Sequence, residues 1–249
     1  MKEKLGVWFS TPNFMFAEMA RDLNFHTVVL DYEHGTFGSD DLDRFIPFAV
    51  ALGFEVLVKT LGPTPEAIQQ SLDFGAHGVI IPHVLDLEHA RHVTAAAKYP
   101  PLGTRSWAGG RINRYGAATP DFFDDENRRT RCYPMVESKE ALADMEAILP
   151  LPTVDGVFLG PSDLSLSRGR GKYSFGDDDK EDILKVVAAA KSAAKPWIMP
   201  AWSRAERLFS HEHGADLMVV VEEQGALLTG LQVAAEAVME EIRHRESND

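Results

Sequence analysis

Short apolar runs with no polar alternation return along the chain, most plainly Val28-Val29-Leu30, Val79-Ile80-Ile81 and Val219-Val220-Val221. A strand wet on one face alternates polar and apolar residues. A continuous run suits a strand covered on both faces, as in a parallel sheet between helices. Eight β-rich segments read this way: Leu5–Ser10, Thr27–His34, Glu55–Thr60, Gly78–Val84, Arg131–Ser138, Gly156–Ser165, Pro196–Trp202 and Leu217–Glu223. Between them, helical spacing of apolar residues marks Phe14–Asp22, Asp40–Ala51, Pro65–Phe74, Asp86–Ala97, Lys139–Ile148, Glu181–Ala194 and Ser203–Glu212. Ser39 with Asp40, Thr64 with Pro65 and Ser138 with Lys139 supply helix starts.

The helix-to-strand junctions repeat as well. Asp73-Phe74-Gly75-Ala76 resembles Glu212-His213-Gly214-Ala215, each placing a glycine where a helix ends before a buried strand. Eight such βα units in 249 residues predict one TIM (β/α)8 barrel over 1–249, with 232–249 as a C-terminal helix and tail. A doubly wound dinucleotide fold would want a G-x-G-x-x-G after its first strand, and none is there. Gly103–Arg131 fits the repeat poorly and reads as an elaborated loop with room for one short helix.

Composition narrows the function classes. A net charge of −13 argues against a nucleic-acid-binding face, which needs cations to neutralise phosphate. No apolar run reaches the ~20 residues of a membrane span, and the first residues lack the apolar stretch of a signal peptide. The single cysteine, Cys132, cannot form an internal bridge, so a cytoplasmic protein is expected.

In a TIM barrel the chemistry sits where strands finish. The polar residues there are Asp31, Glu33, His34, Lys59, His83, Glu137, Ser162, Asp163, Trp202, Ser203, Glu222 and Glu223. Glu137 and Asp163 should close neighbouring strands. Two adjacent carboxylates raise each other's pKa unless a cation joins them, and hard oxygen donors suit Mg²⁺ or Mn²⁺; a pair of solvated loop acids is the alternative. In Asp31-Tyr32-Glu33-His34-Gly35, a carboxylate holding one imidazole nitrogen of His34 would fix its tautomer for proton transfer. In Gly160-Pro161-Ser162-Asp163, glycine admits a ligand close to the backbone, and the Ser162 and Asp163 amides could donate to a carboxylate.

At these residues the sequence resembles the HpcH/HpaI aldolases, metal-dependent (class II) pyruvate aldolases. The likeness runs through Asp31–His34, Asp73-Phe74-Gly75-Ala76, Tyr99-Pro100-Pro101-Leu102-Gly103-Thr104-Arg105, Met135-Val136-Glu137-Ser138 and, most specifically, Asp155–Ser165. The resemblance implies a carbon–carbon lyase in which Glu137 and Asp163 hold a divalent ion (Mg²⁺, Mn²⁺ or Co²⁺). The ion would chelate a pyruvate-like 2-oxo acid whose enolate adds to an aldehyde. His34, paired with Asp31, would move the proton. Gly160, Pro161 and Ser162 would seat the substrate carboxylate. A homo-oligomer, hexamer or trimer, is implied too, with Gln232–Arg243 packing on a neighbour.

Two departures stand out. Lys59 occupies the place of the family's arginine at the third strand end, keeping the charge but losing the planar fork. Met135 stands where the family has glutamine. Arg105, with Arg111 and Arg114, offers a replacement anion contact, with a salt-bridged loop as the alternative. Lys59 also admits a Schiff-base route. Decarboxylation of a 2-oxo acid on the same metal, or a catalytically weakened binding module, complete the alternatives. His211 and His213 fall at the barrel's other end, a poor place for a reactive metal.

Overall fold

The structure, a computed structural model, describes residues 4–246. Eight parallel strands close into one barrel in chain order: β1 Leu5–Phe9, β2 Thr27–Asp31, β3 Glu55–Lys59, β4 Gly78–Ile81, β5 Arg131–Val136, β6 Val157–Leu159, β7 Trp197–Pro200 and β8 Leu217–Glu222, which pairs back with β1. Around them lie α1 Phe14–Asp22, α2 Ser39–Ala51, α3 Pro65–Asp73, α4 Leu87–Ala95, α5 Phe122–Arg129, α6 Lys139–Ala143, α7 Met145–Ile148, α8 Pro161–Ser167, α9 Asp177–Ser192, α10 Arg204–His213 and α11 Glu223–Glu246. Among the described residues no helix is long and apolar enough to cross a membrane.

The predicted starts operate as local chemistry. Thr64 accepts from the Ala67 amide ahead of Pro65, and Ser138 accepts from the Ala141 amide. Ser203 and Glu206 form a reciprocal capping box, and Gly214 (φ 76°) ends α10.

Alternation along the strands then makes two kinds of core. Val29, Leu57, Ile80, Met135, Phe158 and Ile198 fill the barrel interior. The opposite faces pack under the helices; Val28 and Val56, for example, join Leu42, Phe45 and Ile46 of α2. Each such fully buried side chain contributes about 1.5–3 kcal/mol.

Several boundaries differ from the sequence reading, while the long loop carries the short helix expected of it. The Gly156–Ser165 segment is strand only over Val157–Leu159, because Pro161 suits the first position of a helix and starts α8 there. Lys139–Ile148 splits at Asp144, whose side chain accepts from the Leu87 amide (2.9 Å). The long loop carries α5, which leads into the start of β5, so that loop lies at the N-terminal end of the barrel. The terminal helix begins at Glu223, well before Gln232, because Glu223 is fixed by the Ser10 and Thr11 amides (3.3 and 3.1 Å).

Candidate active site

The β2–β3 register sets Asp31 beside Lys59 at the C-terminal mouth. Past Asp31 the chain turns back sharply. Gly35 donates to the Asp31 carbonyl (3.1 Å), and a Cβ on Gly35 would lie 2.3 Å from that oxygen. The turn therefore requires glycine, and it swings Glu33 inward over Lys59.

Lys59 is buried, with its ammonium 2.5 Å from Glu33 and 3.7 Å from Asp31. Asp31 is fully engaged. It accepts from the Trp8 indole (3.2 Å) and from the backbone amide of His34 (3.0 Å). The expected pairing of Asp31 with the His34 ring is therefore not made. A side chain two bonds long reaches the near amide of its own turn, while the ring swings outward. The exposed His34 ring instead places Nε2 at 3.5 Å from Glu33.

Glu33 is the hub, a role its residue pattern does not predict. Burial opposes its charge, but Lys59 and His83 outweigh that and hold its carboxyl below the usual glutamate range. His83 is the other residue left without a role. It adopts a left-handed backbone (φ 56°), uncommon for a residue with a Cβ, and so turns its own amide onto Glu137 Oε1 (2.5 Å). Its ring reaches Glu33 through Nε2 and stands 3.3 Å from Glu137 through Nδ1. One signal was available in advance. A lysine ending a strand as apolar as Glu55-Val56-Leu57-Val58 needs a carboxylate partner, and Glu33 lay within reach.

Glu137 follows β5 and is 5% exposed. Burial pushes its pKa up and the nearby Asp163 adds to the rise, against the opposing pull of His83 and Lys59. Asp163 sits in the first turn of α8, exposed, rather than on a strand. Gly160 makes the approach possible: a Cβ there would stand 2.8 Å from Glu137 Cβ and 2.7 Å from Met135 Cε. Met135 is thus part of the apolar floor beneath Glu137.

Arg105 is corrected as a substrate contact. Its guanidinium is buried against Asp73 (2.7 Å) and over the Tyr99 ring (4.6 Å), with Glu126 at 3.8 Å. Asp73 ends α3 at the opposite end of the barrel from the mouth. Arg111 is likewise held by Asp43 (2.6 Å), and His213 packs on Phe209 in the last turn of α10.

The sequence pattern that defines the HpcH/HpaI aldolase/citrate lyase family matches residues 4–207. The chain belongs to this family. It is accordingly a carbon–carbon lyase. Within the family it is 32% identical over 197 residues to a 2-dehydro-3,6-dideoxy-6-sulfogluconate aldolase of Pseudomonas putida, covering 79% of this chain and 75% of that one. It is 33% identical over 208 residues to a 2-keto-3-deoxy-L-rhamnonate aldolase of Salmonella paratyphi B, covering 81% and 77%. The solved structure of a HpcH/HpaI family protein from Burkholderia cenocepacia has the same fold, with a TM-score of 0.88 at 25% identity over 95% of each chain.

Proposed function

We propose that this family member is a divalent-metal-dependent aldolase, making or breaking the bond between the enolate carbon of a pyruvate-like 2-oxo acid and an aldehyde. The relatives named above are named for 2-oxo acids lacking a hydroxyl at C3, the pattern from which a retro-aldol step releases pyruvate. One observation carries the reading: at the barrel mouth the buried Glu137 carboxylate packs against Gly160, the residue from which α8 starts and brings in Asp163.

The donor set fits a hard cation. Glu137 Oε1 is taken by His83, while Oε2 faces Gly160 and receives no hydrogen bond among the described residues. No cluster of three or more His, Cys, Asp or Glu side chains suited to a metal occurs among the described residues. Glu137 and Asp163 would therefore be the protein's share of the coordination, the remainder coming from water and substrate oxygens. Mg²⁺, Mn²⁺ or Co²⁺ bound there supplies Lewis acidity, drawing the enolate's charge onto oxygen.

The chain's residues do the rest. The exposed His34 imidazole, steadied by Glu33 rather than Asp31, takes the C3 proton in condensation and passes it to the new C4 hydroxyl, and reverses both transfers in cleavage. Gly160, Pro161 and the Ser162 amide seat the substrate carboxylate. Lys59, locked between Glu33 and Asp31, acts by fixing Glu33 and not as a nucleophile, which disfavours a Schiff base.

Assembly belongs to the same proposal. The outer part of α11 projects Leu228, Leu231, Val238 and Met239 at 57%, 70%, 52% and 52% exposure. A run of that kind fits burial against further copies in a hexamer or trimer. A cytoplasmic location rests on the lone, buried Cys132.

The test is turnover of pyruvate with a panel of aldehydes under Mg²⁺, Mn²⁺ or Co²⁺. Chelator should abolish activity, and borohydride with substrate should leave the enzyme unlabelled. Borohydride trapping with chelator-resistant turnover would replace the metal route by a Schiff base. Release of carbon dioxide from oxaloacetate without aldol activity would replace it by decarboxylation.

A further inference from the structure

Outside the mouth the segment joining α8 to α9 is unusually well fixed. Gly169 and Gly171 take left-handed backbones (φ 74° and 75°) that let the chain double back on both sides of Arg170. Arg170 is pinned to Asp182 (2.8 Å) and Asp179 (3.3 Å), and the Tyr173 hydroxyl donates to Glu206 (3.0 Å) at the start of α10. Between these anchors stands Lys172. It lines an open groove of about 490 Å³ together with Ser162, Leu166 and Tyr173, and Ser162 adjoins Asp163. The groove thus lies along α8, starting one residue from Asp163.

The other cations of this region are already engaged. Arg168 pairs with Asp182 (3.2 Å), Lys180 with Asp177 (3.4 Å) and Lys185 with Glu181 (2.8 Å). Lys172 is exposed and makes no ion pair within 4 Å among the described residues, although Asp177, Asp178 and Asp179 line the depression on its other side. Among the described residues the mouth's one lysine, Lys59, is consumed by Glu33 and Asp31.

We propose that this groove receives the tail of the aldehyde and that Lys172 selects tails ending in an anion, whether carboxylate, phosphate or sulfonate. The inference rests on the aldolase reading above and assigns Lys172 to specificity, not to the bond-making step. Tyr173 and Leu166 give the tail's carbon chain an apolar wall, and the ammonium meets its end.

The experiment compares kcat/KM for succinic semialdehyde and glyceraldehyde 3-phosphate with that for neutral propionaldehyde, pyruvate and metal being held constant. In Lys172→Ala the charged-to-neutral ratio should fall roughly tenfold. It should fall further in Lys172→Glu and recover in Lys172→Arg, with the loss in KM. A fall for one acid alone would tell which anion the groove takes. An unchanged ratio overturns the proposal. Ligand-observed NMR of unreactive succinate, with chelator present, reads the same contact without turnover. Weaker binding in Lys172→Ala supports it, whereas equal binding in both proteins, or none in the wild type, overturns it. Failure of the wild type with every aldehyde sinks the aldolase reading instead and leaves the NMR arm to decide Lys172.

Discussion

Lys59 and Arg105 are both buried cations, and their surroundings send them to different tasks. Lys59 is held by Glu33 at the mouth, Arg105 by Asp73 at the barrel's other end. Breaking either pair leaves an uncompensated charge, which costs about 3–5 kcal/mol in a buried setting. Arg105→Ala should therefore lower the urea midpoint strongly while kcat/KM per folded molecule stays near wild type. A selective loss of activity in a stable Arg105→Ala protein would restore the arginine to the substrate site. Glu33→Gln should lose both stability and turnover, because it releases Lys59 and His83 together and leaves His34 unsteadied. General acid–base contributions run to about 10²–10⁴-fold, so steady-state rates resolve the effect easily. The mouth positions of Asp31, Lys59 and Glu137 could be read from strand ends alone. The hub at Glu33 and the turned-in His83 could not, since each depends on a backbone reversal whose geometry no residue pattern announces. Arg105 misled because its partner Asp73 lies 32 residues away.

Helix α8 shows the same limit at the next scale. Read as strand, its residues gave Asp163 a strand-end position; Pro161 at the first helical turn moves it onto a helix start without removing it from Glu137. Gly160→Ala should cost activity well beyond its effect on folding, because the added methyl meets Glu137 directly. A variant with normal kcat and normal metal affinity would show that the contact is not constrained. Helix α11 starts at Glu223, earlier than its residue pattern predicts, because that start depends on the distant Thr11 and Ser10 amides. Its exposed apolar residues predict that Leu228→Asp with Leu231→Asp yields smaller particles by sedimentation. Unchanged mass would remove α11 from assembly.

Over the whole molecule the eight-unit topology is legible because it is written in a repeated local pattern: a doubly buried strand, a helix and, before β3, β4 and β8, a left-handed glycine. Local chemistry specifies the barrel one unit at a time, and closure follows once every strand has two parallel neighbours. Stability against acid is also a property of the whole. His77 Nδ1 accepts the Val56 amide (3.1 Å), which requires a neutral ring. Burial first, then the Arg129 charge, hold its pKa below 6.5, against the opposing pull of Glu55. The unfolded chain thus binds this proton more readily, so the contribution is complete above about pH 6.5 and is lost as pH falls through the lower folded value. His77→Asn should flatten that part of the stability-versus-pH curve, followed by urea unfolding. An identical acid slope would exclude His77 as its source.

Glu137 and Asp163 as joint holders of a cation remain the point from which the chemistry proceeds. Electron paramagnetic resonance titration with Mn²⁺ reads that directly, without turnover. Wild type should sequester the ion at one site per chain, and Glu137→Gln and Asp163→Asn should each weaken it by at least roughly tenfold, with circular dichroism unchanged. Undiminished Mn²⁺ affinity in both folded variants would contradict the account.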